Sequence, residues 1–327
     1  MKRFMPDQFT LMLIATVLTA SLLPISGEPA HWFAIATNIA IGLLFFLHGA
    51  RLSRSVALAG LLHWRLHLTI LAMTFGVFPL LGLAIGFIPA DILSPQLYAG
   101  ILYLCILPST VQSSIAFTSM AGGNVSAAVV AASASSILGM FITPLLVGLM
   151  MQANGNAGFS LDAIEKIVLQ LLVPFIAGQL LEPWIGKWIR DRKKLLNPVD
   201  RGSILMVVYL AFSEAVIEGL WHSFSLRDLG VIVVINIVLL AIALSISMFG
   251  SRALGFSKED EIAITFCGSK KSLASGVPMA NAIFAGQNIG AIVLPLMLFH
   301  QIQLMACAVI AQRYAARAKA VAATATA

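Results

Sequence analysis

The stretch Ile264-Thr-Phe-Cys-Gly-Ser-Lys-Lys-Ser-Leu-Ala-Ser-Gly-Val-Pro-Met-Ala280 decides how this chain folds. It is apolar enough overall to cross a bilayer, yet Lys270 and Lys271 lie near its middle. A lysine at the centre of a membrane helix costs about 2.5–3.5 kcal/mol on insertion scales, so it should face a partner or a wet cavity. Two glycines and a proline weaken the helix at the same depth, where only protein or water can satisfy unwound backbone. The stretch therefore predicts a broken helix that lines a substrate site.

The composition of the chain is that of an integral membrane protein. Of its 327 residues, 59% are hydrophobic and only 10% are charged, and the mean hydropathy is +0.95. A soluble domain would carry about 25% charged residues. The net charge of +6 is distributed between hydrophobic runs rather than along one basic stripe, so a nucleic-acid partner is not expected. The expected partners are the lipid bilayer and a small-molecule substrate.

The chain contains ten candidate membrane spans, each an apolar run of the length that crosses the hydrocarbon core. They cover roughly residues 8–26, 31–50, 65–88, 96–120, 125–151, 162–185, 200–221, 228–252, 260–285 and 289–313. We expect one transporter domain over residues 1–327, ending in a short cytoplasmic tail at 315–327.

The positive charges predict the orientation of these spans. Of the 20 lysines and arginines, Lys166 and Arg227 fall on one side, and Lys270 and Lys271 lie inside a span. All the others fall in the even-numbered loops or the tails, which places both termini in the cytoplasm by the positive-inside rule. The expected location is the plasma (inner) membrane.

An internal repeat divides the chain into two halves. Segment 121–129 matches segment 285–293 at five of nine positions, an offset of 164 residues from 121 to 285. Each copy falls in the loop before the last span of its half. Repeat one covers about 8–151 and repeat two about 162–314, and five spans per half would invert the second repeat relative to the first. Inverted repeats of this kind are a transporter architecture.

Span four carries a second interruption at the position that corresponds to the lysine stretch. Pro108 removes a backbone donor in mid-membrane. The polar residues that follow it are Ser109, Thr110, Gln112, Ser113 and Ser114. A proline kink with serines bonded to the preceding turn would explain one such span. Two interrupted spans at matching positions of two halves instead indicate a transporter binding site.

With these motifs the chain resembles the bile acid:sodium symporter superfamily, and within it the SBF-like branch that includes the sodium/bile acid cotransporter 7-like proteins. The resemblance covers essentially the whole chain. It implies an all-α polytopic membrane protein with ten transmembrane helices in two inverted five-helix repeats. It also implies that discontinuous helices 4 and 9 cross in a core domain, which moves against a panel of spans one, two, six and seven.

Some of the residues depart from the family pattern. Ser113 matches that pattern in span four, and Ser114 replaces its asparagine. Span five keeps hydroxyl groups at Ser133, Ser135 and Ser136, although two expected hydroxyl positions carry alanine. In span nine, alignment on Gly268 puts a phenylalanine where the family's sodium-binding glutamate should be, and Lys270-Lys271 where Gln-Asn should be.

The two lysines leave the coupling ion open. A lysine at this position could serve as a built-in cation in place of sodium, so coupling to Na+, coupling to H+ and no coupling are all considered. We expect no other cofactor, and no metal-binding residue is assigned. The lysines and the half-helix N-termini favour an anionic substrate, and Glu214 on span seven is a possible charge partner. The predicted substrate- or ion-binding residues are Pro108, Ser109, Thr110, Gln112, Ser113, Ser114, Ser133, Ser136, Gly268, Ser269, Lys270, Lys271 and Ser272.

The function predicted from these residues is secondary active transport of a small organic anion by alternating access. The alternative is a regulatory or scaffolding membrane protein that keeps the fold without transport. An enzyme is not expected, because the chain has no HExxH motif and no nucleophile elbow. The sequence leaves the oligomeric state open.

Overall fold

The computed structural model describes residues 8–51, 63–151, 169, 173–217, 225–284 and 288–325. The regular structure within these ranges is helical, with no strand among the described residues. The helices are α1 Gln8–Leu22, α2 Gly27–Arg51, α3 Trp64–Ala72, α4 Phe78–Ile85, α5 Pro95–Ile106, α6 Gln112–Met120, α7 Val125–Leu146, α8 Val173–Asp191, α9 Lys193–Ile217, α10 Leu226–Ala253, α11 Lys258–Gly268, α12 Leu273–Ile283 and α13 Ile289–Ala325. Two π-helical segments, Met73–Val77 and Val147–Met151, join α3 to α4 and extend α7.

Several helices have the length and composition of membrane spans. Five helical stretches of the described chain qualify: Gly27–Arg51, Trp64–Ile85, Val125–Met151, Leu226–Ala253 and Ile289–Arg317. Two shorter apolar helices are Leu11–Leu22 and Pro95–Ile106. The predicted all-α membrane protein is thereby confirmed. The arrangement as ten spans in inverted repeats stays a prediction, and residues 285–287 of the second repeat copy lie outside the described chain.

One group of helices consists of α1, α2, α8 and α9. α2 packs along α8, α1 packs along α9, and α9 also contacts α2. Gly49 and Gly178 explain the close approach of α2 and α8. A Cβ atom on Gly49 would overlap the carbonyl oxygen of Phe175, and one on Gly178 would overlap that of Phe46. The absence of two side chains therefore lets these helices touch backbone to backbone.

The second group contains α3 to α7 and α10 to α13. α13 packs against α5, α10 and α12, while α11 packs against α3, α6, α7 and α10. The first group meets the second mainly through α9, which contacts α12 and α13. Most of the buried apolar side chains form one continuous core that extends through this contact.

Two helices of the second group are interrupted near their middles. α5 ends at Ile106, α6 begins at Gln112, and residues 107–111 between them are not helical. α11 ends at Gly268, α12 begins at Leu273, and residues 269–272 connect them. Both interruptions fall in the stretches that the sequence singles out, so the candidate site is built from non-helical backbone.

Candidate functional site

The two interruptions are joined directly through their backbones. The amide of Ser272 donates a hydrogen bond to the carbonyl of Pro108 over 2.9 Å. Ser272 is also the N-cap of α12, because its hydroxyl accepts a hydrogen bond from the amide of Ser275. Pro108 and Ser272 are separated by the offset of the internal repeat. The two broken helices therefore meet at corresponding points of the two predicted halves.

Hydroxyl groups of the first break, residues 107–111, and of the first turn of α6 satisfy the carbonyl end of α11. Ser109 Oγ donates to the carbonyl of Cys267, and Ser114 Oγ donates to that of Phe266 over 2.9 Å. Thr110 Oγ1 lies 2.9 Å from Ser114 Oγ and 2.7 Å from Ser113 Oγ. Because Ser114 donates its one hydroxyl proton to the carbonyl of Phe266, it must accept the hydrogen bond from Thr110. Thr110 in turn accepts from Ser113. These carbonyls would otherwise be unpaired at a helix end.

In the opposite direction, a side chain of the second break, residues 269–272, donates to the carbonyl end of α5. Lys271 Nζ donates to the carbonyl oxygens of Cys105 and Leu107 over 2.8 Å and 2.7 Å. The carbonyl of Ile106 accepts from Thr143 Oγ1 over 2.8 Å. Each broken helix thus supplies side chains that pair the free carbonyls of the other. Both ends also carry the negative pole of a helix dipole, which favours the lysine charge.

Lys270 lies in a different environment. Its side chain is fully buried, and its Nζ has no hydrogen-bond partner among the described residues. It sits 3.9 Å from the ring centroid of Phe117 and 5.6 Å from that of Phe266. A desolvated cation–π contact contributes about 2 kcal/mol, whereas burying an ammonium costs several kcal/mol. The burial of the Lys270 ammonium is therefore unfavourable, and its contacts with the two rings offset only part of the lost hydration.

Gln303 of α13 is part of the site although the sequence analysis did not include it. Its side chain is fully buried and pairs with the backbone of Lys271. Its Nε2 also lies 3.0 Å from His300 Nδ1. Since Nε2 is a donor, His300 Nδ1 is an acceptor here. The polar group His300-Gln-Ile-Gln303 in the middle of a predicted span is the signal that would have pointed to it.

The remaining candidates on spans five and nine have different surroundings. Ser269 is buried and donates to the carbonyl of Thr265 over 2.6 Å, and Gly268 is the last residue of α11. Ser133 and Ser136 are half-buried on α7. The span-five hydroxyl that contacts the first break is Ser135, whose Oγ accepts from the amide of Ser109 over 3.0 Å.

Gln112 differs from its neighbours because it is exposed. It begins α6, and the N-cap position, Val111, provides no side-chain hydrogen bond to the first turn. The first backbone amides of α6 therefore have no side-chain cap. The exposed side chain of Gln112 lies beside them. Glu214 is also exposed, on α9, whereas both lysines are buried. Its role as a charge partner stays a prediction.

These features are those of a helical membrane protein with two interrupted helices in mutual contact, an arrangement that transporters use to build their binding sites. The chain belongs to the SBF-like CPA transporter family, whose model matches residues 7–316. It is accordingly a transporter-family protein rather than an enzyme, and the resemblance stated from the sequence is confirmed.

Relatives of the chain cover nearly its full length. It is 62% identical to Uncharacterized protein PA2026 of Pseudomonas aeruginosa over 96% of this chain and 95% of the relative. It is 57% identical to the Escherichia coli protein named "Putative symporter YfeH", over 94% and 92% of the two chains. It is also 26% identical to Sodium/bile acid cotransporter 7 of Rattus norvegicus, over 93% and 91%.

Proposed function

We propose that this protein is a secondary transporter that carries a small organic anion across the inner membrane by alternating access. The observation that carries the proposal is the start of α6. There an uncapped helix N-terminus and the exposed side chain of Gln112 lie four residues from the point where the two breaks meet. Unpaired amides and the positive pole of a helix dipole favour an anion.

The proposed topology is ten spans in two inverted repeats, with both termini in the cytoplasm. The reciprocal pairing of the two breaks supports it, because an inverted repeat brings equivalent segments of the two halves together at mid-membrane. In this arrangement α5 with α6 forms span four, and α11 with α12 forms span nine. The substrate would bind beside their contact, at Gln112 and the other polar residues of the breaks.

The proposed motion divides the molecule between its two helix groups. α1, α2, α8 and α9 would form the panel, and the remaining helices would carry the site. The limited contact between the groups, through α9 with α12 and α13, supports a movement of one group against the other. The names of the cotransporter relatives support an organic anion as the substrate class and Na+ as a candidate coupling ion. H+ is the second candidate, because two lysines lie in the second interruption.

A binding experiment tests the proposal. The purified full-length protein is heated with a panel of organic carboxylates, sulfonates and organic cations at matched ionic strength. A ligand at about 100 times its Kd stabilises a protein by about 2.7 kcal/mol. We expect at least one class of anion to raise the melting temperature, and Gln112→Leu to reduce that shift.

Gln312→Leu, a change of the same type in the second half of α13, is the matched control and should keep the full shift. Uptake of the stabilising anion into proteoliposomes then tests transport. Stabilisation by organic cations only, or by no organic ion, would contradict the proposal.

A further inference from the structure

The ammonium group of Lys271 is held by three main-chain carbonyl oxygens. Its Nζ lies 2.8 Å from the oxygen of Thr74, 2.8 Å from that of Cys105 and 2.7 Å from that of Leu107. An ammonium has three donors, so every donor is used. The side chain is fully buried, and the ring centroid of Phe78 lies 4.2 Å from Nζ. We call these three oxygens the carbonyl cage.

The sequence explains why each cage oxygen is free. Cys105 and Leu107 lie at the carbonyl end of α5, where a helix leaves acceptors unpaired. Thr74 lies in the π-helical segment Met73–Val77, in which the amide of Phe78 bonds to the carbonyl of Met73. The corresponding partner for Thr74 would be residue 79, which is a proline without an amide proton. The cage is therefore encoded by a helix end and one proline.

Main-chain carbonyls and half-helix C-termini are the ligands that broken-helix transporters offer to a free cation. Here a side chain of the protein already supplies the cation. A second monovalent cation about 4 Å away would be repelled by about 4 kcal/mol at an effective dielectric constant of 20. The occupied cage and this repulsion both disfavour a sodium ion at the contact between the breaks.

We propose that Lys271 is a tethered cation that permanently occupies a monovalent-cation site, and that removing its side chain opens this site to a small ammonium ion. Lys270 is excluded from this role because its Nζ faces aromatic rings and has no carbonyl cage among the described residues. The consequence for transport rests on the proposed function: the cycle would run without a sodium ion at this position.

The test measures chemical rescue of the full-length protein. Lys271→Ala and wild type are melted in ammonium, methylammonium, sodium or potassium chloride, with choline chloride to hold the ionic strength constant. We expect Lys271→Ala to melt below wild type and to recover at least half of that loss, saturably, in ammonium or methylammonium chloride. Choline is too large to enter and should give no recovery.

Lys270→Ala is the matched control, because it removes a neighbouring lysine of equal burial without emptying a cage. It should show no recovery in ammonium chloride. The proposal is overturned if ammonium restores neither variant or restores both equally. If Lys271→Ala cannot be purified, the melting temperature of wild type in sodium chloride and in choline chloride tests the proposal. No stabilisation by sodium over choline supports the tethered cation, and a saturable stabilisation by sodium overturns it.

The same preparations separate this proposal from the transport proposal. Wild type is titrated with the organic anions in choline chloride. Ammonium rescue without any anion binding would retain the tethered cation and reject the anion transporter. Anion binding without ammonium rescue would do the reverse.

Discussion

The side-chain amide of Gln303 pairs with both polar backbone groups of Lys271. Gln303 Oε1 accepts from the amide of Lys271 over 2.9 Å, and Gln303 Nε2 donates to the carbonyl of Lys271 over 2.9 Å. This is the pairing that a neighbouring strand would provide, supplied by one residue of α13. It satisfies non-helical backbone at a residue that is fully buried, and it fixes the residue whose ammonium enters the carbonyl cage.

The first prediction concerns the two hydrogen bonds between Gln303 and the backbone of Lys271, which we call the clamp. Gln303→Met keeps the volume but leaves both backbone groups of Lys271 unpaired, and a buried unpaired group costs about 1–3 kcal/mol. We expect a clear fall in melting temperature of the purified protein. Gln303→Glu keeps the acceptor and loses the donor as a carboxylate, so it tests the two bonds separately. A Gln303→Met variant that melts with wild type would show that the clamp does not stabilise the break.

The second prediction contrasts the two adjacent lysines. Lys271→Met leaves three carbonyls without their donor and should destabilise the protein by about 3 kcal/mol or more. Lys270→Met removes a buried ammonium that has no hydrogen-bond partner in the described chain. Replacing buried charge by an apolar residue of similar volume is often neutral or stabilising by about 1–4 kcal/mol. We expect Lys270→Met to melt at or above wild type.

Binding measurements on Lys270→Met then test whether this lysine, whose burial is unfavourable, takes part in substrate binding. If Lys270 supplies charge to the site, this variant should bind the organic anion more weakly while melting no lower. Equal losses of stability in Lys270→Met and Lys271→Met would contradict the different environments of their ammonium groups.

The third prediction concerns Glu261 near the start of α11. Its side chain is almost fully buried and contacts Arg252, Lys258 and the hydroxyl of Tyr314 at 2.7–3.0 Å. Glu261→Gln removes the charge that these groups share. The two cations are partly exposed, so we expect a loss of about 1–3 kcal/mol, below the 3–5 kcal/mol of a fully buried pair. Chemical denaturation in mild detergent measures the loss.

The control for this variant is Glu259→Gln, on the first turn of the same helix. Its side chain is exposed, so its removal should change stability by less than about 0.5 kcal/mol. Equal effects of the two substitutions would mean that the cluster around Glu261 is not a stabilising unit.

The fourth prediction concerns the contact of α2 with α8. Gly178→Ala places a methyl group against the carbonyl oxygen of Phe46, so the helices must separate and lose packing. We expect destabilisation of about 1–3 kcal/mol, the usual cost of overpacking. Gly250→Ala has no atom within 4 Å of the new methyl group and should gain up to about 1 kcal/mol from helix propensity. If both alanines behave alike, the close approach is not needed.

The sequence predicted the interruptions better than it predicted their chemistry. Pro108, Gly268 and the two lysines are anomalies in apolar runs, and the cost of such residues in lipid makes them visible without a structure. The family could also be recognised from the sequence, because its motifs lie in the same apolar runs.

The partners of the lysines could not be read from the sequence. The cage uses main-chain oxygens of Thr74, Cys105 and Leu107, and a backbone carbonyl has no residue type by which to recognise it. Serine positions were uncertain for a related reason: neighbouring hydroxyls differ by about 100° around a helix, so Ser135, rather than Ser133 or Ser136, contacts Ser109. Gln303 was missed because the span from 289 to 313 carries three glutamines, and the sequence does not reveal which of them faces non-helical backbone.

The reciprocal pairing of the breaks also constrains how the chain is made. Leu107 and Lys271 are 164 residues apart, so at about 5–20 residues per second the lysine is synthesised roughly 8–33 seconds after its acceptor. In the proposed topology, the carbonyl end of α5 is inserted during that interval without its donor, at a depth where lipid offers none. The first half of the protein must therefore wait in a wet or shielded state, and the centre of the molecule is completed among the last steps of biogenesis.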